Sequence, residues 1–113
     1  MVKTPRPRKG AGNHHTSPMS IPTIFHRKGF THRLMKREGN IALYSLTRFG
    51  RMSYEVVKIR AYKTDQPFIN RKAGDEYLPS HEEWGTYGFT YNSLSDAERH
   101  FKALTNLKTT THE

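Results

Sequence analysis

Ile41-Ala-Leu-Tyr-Ser-Leu-Thr-Arg48, closed by Phe49-Gly50-Arg51 and followed by Met52-Ser-Tyr-Glu-Val-Val-Lys-Ile-Arg-Ala-Tyr-Lys63, is the stretch that decides the fold class. Two runs of β-branched, aliphatic and aromatic residues separated by a glycine turn read as an antiparallel hairpin. A three-residue loop, Arg48-Phe49-Gly50, with Gly50 in the left-handed conformation, predicts the pairs Thr47–Arg51, Leu46–Met52, Tyr44–Tyr54 and Ala42–Val56. That register gathers Ala42, Leu46, Met52, Val56 and both tyrosines on one face. A two-residue loop sets Tyr44 against Glu55 and Leu46 against Ser53. Because a slip of one residue exchanges the faces, the apolar pattern favours the longer loop. The other face carries Ile41, Leu43, Val57 and Ile59 beside Ser45, Ser53 and Glu55, and is apolar enough to need partial cover.

Upstream, Phe30-Thr-His-Arg-Leu-Met-Lys-Arg37 ends at Glu38-Gly39-Asn40. Gly39-Asn40 predicts a type II′ turn that pairs Glu38 with Ile41. His32, Arg33, Lys36 and Arg37 make this a cationic strand, expected at a sheet edge, where charge blocks edge-to-edge aggregation. Downstream, residues 64–79 form a polar connection. Ser80-His-Glu-Glu83 has the capping-box pattern of a short helical turn. Tyr87-Gly-Phe-Thr-Tyr91 reads as a short strand whose rings serve packing, with Tyr87 and Tyr91 assigned to one face and Phe89 to the other. Leu94, Ala97, Phe101 and Leu104 then follow helical spacing. Ser95 as cap and Glu98 as its partner place this helix from Asp96 to the Leu104–Leu107 region.

The expected architecture is therefore α+β: a three- to four-stranded antiparallel meander over residues 21–107, packed by a C-terminal helix. A disordered basic arm is expected over residues 1–20 and a frayed tail over 108–113. The arm has three prolines, two glycines and almost nothing apolar to bury. Those prolines also argue against the amphipathic helix of a mitochondrial presequence.

Charge is the second signal. The 113 residues carry a formal charge of +9, and the first 37 hold nine basic residues and no acid. The rest of the chain balances ten basic against ten acidic residues. Lys3, Arg6, Arg8 and Lys9 form a proline-spaced cluster, and Arg27, Lys28, Arg33, Lys36 and Arg37 follow. Cations in extended chain suit a phosphate backbone, which rewards charge without regard to base identity.

The classes that the sequence argues against are clear. No apolar run reaches the roughly 20 residues of a membrane helix. The chain contains no Cys, so it has no disulfide or thiolate metal site, which suits a reducing compartment. Its seven histidines, His14, His15, His26, His32, His81 and His100 among them, show no i, i+4 zinc spacing. No phosphate-binding loop, dinucleotide fingerprint or nucleophile elbow occurs. The acids Asp75, Glu76, Glu82 and Glu83 read as solvated loop charge rather than a Mg²⁺ site.

The expectation is a small, cytoplasmic, non-enzymatic binding module without a metal or cofactor. Its Lys3, Arg6, Arg8, Lys9, Arg27, Lys28, Arg33, Lys36 and Arg37 are expected to contact the phosphates of RNA or DNA, free or in a nucleoprotein assembly. A second expectation is a protein-interaction module, a small inhibitor or regulator that docks on an acidic surface of a partner protein.

Overall fold

The computed structural model of this chain describes residues 18–110, with side chains described through Leu107. Strands β1 (Ile24–Arg27), β2 (Phe30–Glu38), β3 (Ile41–Arg48), β4 (Arg51–Lys58) and β7 (Gly88–Tyr91) form one antiparallel sheet in the order β1-β2-β3-β4-β7. A small second ladder pairs β5 (Arg60–Ala61) with β6 (Glu76–Tyr77). Helix α1 (Leu94–Thr110) packs on the large sheet. The class is α+β, with five strands in the main sheet. Among the described residues no helix is long and apolar enough to cross a membrane.

The central hairpin takes the register that its apolar pattern disfavours. Arg48 faces Arg51, Leu46 faces Ser53, Tyr44 faces Glu55 and Ala42 faces Val57. The loop is thus Phe49-Gly50 alone, with φ of 51° and 77°. Positive φ at both central residues is the type I′ condition, whose twist matches that of the strands. The expected three-residue loop fails because it assumed one dominant apolar face. Both faces are covered. Ile41, Leu43 and Val56 pack with Ala97 and Phe101 of α1, while Ala42, Tyr44, Leu46, Val57 and Ile59 pack with Ile21 on the opposite side.

The cationic strand β2 is internal, not an edge. β1 covers it through a second tight turn, Lys28-Gly29, with φ of 55° and 83°. The Gly39-Asn40 turn pairs Glu38 with Ile41, as its sequence predicts. Between Leu34 and Lys36 the β2–β3 register shifts by one residue. Such a bulge re-aims the residues that follow it. Lys36 consequently reaches the helix side, with its Nζ 5.1 Å from the Phe101 ring centre and 3.5 Å from Glu98.

Helix α1 begins two residues earlier than its sequence pattern indicates. The Ser93 hydroxyl, rather than Ser95, accepts from the N–H of Asp96 at 3.3 Å. Ala97 and Phe101 are buried and Leu94 and Leu104 half-buried, as helical spacing requires. Phe89 and Tyr91 are two apart on β7 and share the face that meets His100, which corrects their assignment to opposite faces.

The opposite face has no helix. The chain before β1 lies across it. Tyr44 donates to the Pro22 carbonyl at 2.6 Å, and Asp75 and Glu76 accept from the N–H groups of Met19 and Ile21 at 2.9 and 3.2 Å. Among the described residues, these bonds tie Met19 and Ile21 to the β6 region. The 3₁₀ turn His81–Glu83 and Trp84 complete the cover. Gly88 permits this approach: a Cβ there would lie 2.5 Å from the Trp84 ring. The Glu83 carboxylate accepts from the N–H of Ser80 at 2.8 Å, the half of the capping box that starts the turn, and also pairs with Arg60.

Candidate nucleic-acid interface

The two type I′ turns lie at the same end of the sheet, because Thr31 at the start of β2 pairs with Thr47 at the end of β3. They touch: a Cβ on Gly29 would lie 3.3 Å from the Arg48 guanidinium. Alternation along the strands places Arg27, Arg48 and Arg51 on the helix-free face of this end, with Lys28 in the turn itself. The Arg48 guanidinium carbon lies 5.2 Å from the Phe30 ring centre and 5.1 Å from that of Phe49. Among the described residues, none of Arg27, Lys28, Arg48 and Arg51 makes an ion pair.

Phe49 is the unusual residue. It is 89% exposed and sits at positive φ. An L-residue in that conformation costs roughly 1–2 kcal/mol, and a bulky one rarely adopts it. A ring held in water on a strained turn among cations contributes nothing to the core.

The fold divides the cations that the sequence grouped together. Lys3, Arg6, Arg8 and Lys9 lie outside the described residues. Arg27 and Lys28 stand at the two-turn end. Arg33 is exposed on the helix side of β2, paired across the ladder with Ser45. Lys36 is engaged by Glu98 and Phe101. Arg37 is held in a bidentate pair with Glu76, at 2.7 and 2.6 Å, which raises the guanidinium pKa and lowers that of the carboxyl. Arg48 and Arg51 take their place at the cationic end. They were missed because each counted as an isolated charge in a balanced region. Lys28-Gly29 and Phe49-Gly50, two x-Gly turns flanked by cations, were the signal that could have found them.

Behind this end lies an open pocket of about 410 Å³, lined by Arg27, Lys28, Phe30, His32, Glu55 and Trp84, with Ser53, His81 and Thr90 among its polar groups. Glu55 is among its lining residues. The Tyr44–Glu55 register turns this carboxyl into the sheet face, where its side chain is only 13% exposed. No hydrogen-bond donor among the described residues reaches it; the nearest polar group is His32 Nε2 at 3.6 Å, too long for a hydrogen bond. Burial pushes its pKa up to about 7, against a weaker downward pull from Arg27.

His32 is stacked on Phe25 with ring centres 4.3 Å apart, and its Nδ1 is buried without a hydrogen-bond partner of standard geometry among the described residues. Burial lowers its pKa, the Phe30 carbonyl opposes that, and Arg27 and His26 lower it further. A neutral imidazole offers Glu55 no compensating charge, so desolvation dominates the carboxyl. The Trp84 indole N–H donates to the Thr90 hydroxyl at 2.7 Å, fixing the ring as a wall. Among the described residues no three His, Asp or Glu side chains converge as a metal site.

Comparison of the chain with protein-family models, with curated proteins and with solved structures gives no significant match.

Proposed function

We propose that this chain is a non-enzymatic nucleic-acid-binding module whose working surface is the two-turn end of the sheet. The carrying observation is the cluster of Arg27, Lys28, Arg48 and Arg51, free of internal ion pairs among the described residues, around the exposed and strained Phe49. Cations supply phosphate contact, and an exposed ring stacks on an unpaired base. The combination favours single strands over duplex, because a stacked base offers its face only where the strand is unpaired. Lys3, Arg6, Arg8 and Lys9 would add further phosphate contacts.

One observation supports a second reading, docking on a partner protein. The 3₁₀ turn Pro67–Ile69 presents Phe68 fully exposed, next to the exposed Ile69, on a loop apart from the cationic end. Fluorescence anisotropy with labelled single-stranded and duplex oligonucleotides at low salt separates the two readings. The nucleic-acid reading requires binding that is tighter for single strands, weakened when Arg48 and Arg51 become Gln, and unchanged by Phe68→Ser. Absence of binding at low salt removes it and leaves the docking reading.

A further inference from the structure

The pocket behind the cationic end has contents that phosphate binding does not explain. A carboxyl largely withdrawn from water, with no protein hydrogen-bond donor, is costly, and such groups gather at functional sites. Glu55 is in that position, with His32, 4% exposed, beside it at 3.6 Å. The same lining includes two aromatic rings, Phe30 and Trp84, and two exposed cations, Arg27 and Lys28. At about 410 Å³ the pocket is the size of a small-molecule site, typically roughly 300–1,000 Å³. A ligand that satisfies all three features is flat, carries N–H donors on one edge, and bears an anion within reach of those cations.

We propose that this pocket receives one base of the bound strand, a guanine, with its Watson–Crick edge on Glu55 and the adjoining phosphate on Arg27 and Lys28. The inference rests on the nucleic-acid reading above and assigns it a base preference. Guanine presents two adjacent donors, the ring N1–H and the exocyclic amino group, which a single carboxylate accepts in parallel. Adenine and uracil present no such pair, and cytosine offers only its amino group. Contact with the pocket's aromatic rings would give the base its apolar packing, as in other readers of unpaired bases. The base would supply the hydrogen bonds that Glu55 lacks.

Trp84 is the single tryptophan of the chain and lines the pocket, so its fluorescence reports occupancy directly. The test titrates GMP, AMP, CMP and UMP into the full-length protein and follows Trp84 quenching. In parallel, the anisotropy of a labelled oligonucleotide reports binding at the sheet end. The proposal requires saturable quenching by GMP about tenfold tighter than by AMP, the discrimination that a bidentate contact supports. Glu55→Gln should level that preference, because the amide presents one acceptor and one donor. This variant is close in shape and removes a buried charge, so it should fold. If it does not, the preference of the unmodified protein still decides.

Oligonucleotide binding with no Trp84 quenching by any mononucleotide overturns the proposal and leaves the nucleic-acid reading standing. Equal quenching by all four nucleotides, unaffected by Glu55→Gln, also overturns it. Loss of both signals removes the reading and the proposal together.

Discussion

The two faces of the sheet are closed by different means. On one, α1 lays Ala97 and Phe101 against Leu43 and Val56 in one apolar cluster with Ile41. On the other, the cover is an N-terminal segment, a 3₁₀ turn and Trp84, and it leaves an open pocket lined by a half-buried acid, Glu55. The first face shows ordinary amphipathic packing. The second accepts Glu55, Ser53 and His32 where a stability-driven core would place aliphatics. Proteins tend to break their own packing rules where function requires it, and the helix-free face is where this chain breaks them.

The largest expected effect tests the closed face. Phe101→Ala should destabilise the protein by about 3–5 kcal/mol, the cost of deleting a buried aromatic and leaving a cavity. Chemical denaturation measures it. An unchanged midpoint would mean that α1 does not close that face.

The next effect tests the open face and runs in the opposite direction. Glu55 titrates at about 7 when folded, against an ordinary 4.5, so the native state holds its proton more tightly than the unfolded chain. Its contribution to stability is therefore most favourable below about pH 4.5, declines between the two values, and is lost above about pH 7. The difference corresponds to about 3 kcal/mol at pH 8. Glu55→Gln should raise stability at pH 8 by up to that amount and change it little at pH 4. His32, 3.6 Å from Glu55, has a lowered pKa that opposes folding as pH falls through its own range; it is neutral at pH 8, and Glu55 is protonated at pH 4, so no charged pair forms at either end of the comparison. A variant whose stability advantage does not depend on pH would refute the desolvated carboxyl.

The smallest stability effect tests the turn. Phe49→Asn replaces a strained ring with a residue suited to the first position of a type I′ turn, and should stabilise the protein by about 1 kcal/mol. The same change should weaken single-strand binding by about 1–3 kcal/mol if the ring stacks on a base. A gain in stability with no loss of binding would assign Phe49 no role at the interface.

Much of the closed face could be read directly. The spacing of Ala97, Phe101 and Leu104, the Gly39-Asn40 turn and the strand runs of β3 and β4 are local patterns, and they were legible in the sequence. The open face was not. The register of the central hairpin differs by one residue from the one its apolar pattern favours, because that pattern disfavours Glu55 opposite Tyr44. That placement is what creates the pocket. The edge position expected for β2 failed because β1 spans only Ile24–Arg27, too short a run to stand out. The cationic cluster was half legible: Arg27 and Lys28 belong to the basic first third, while Arg48 and Arg51 join them only through strand pairing, which composition cannot register.

The most direct test of the central claim is the salt dependence of affinity for a single-stranded oligonucleotide. Each phosphate contact contributes about 0.7 to the slope of log K against log salt for single strands. Replacing Arg27, Lys28, Arg48 and Arg51 together by Gln should therefore flatten the slope by about 3. Lys36→Gln should leave the slope nearly unchanged, because that cation is engaged by Glu98 and Phe101. An identical slope in the fourfold variant and the unmodified protein would contradict the account and move the phosphate contacts away from the two-turn end.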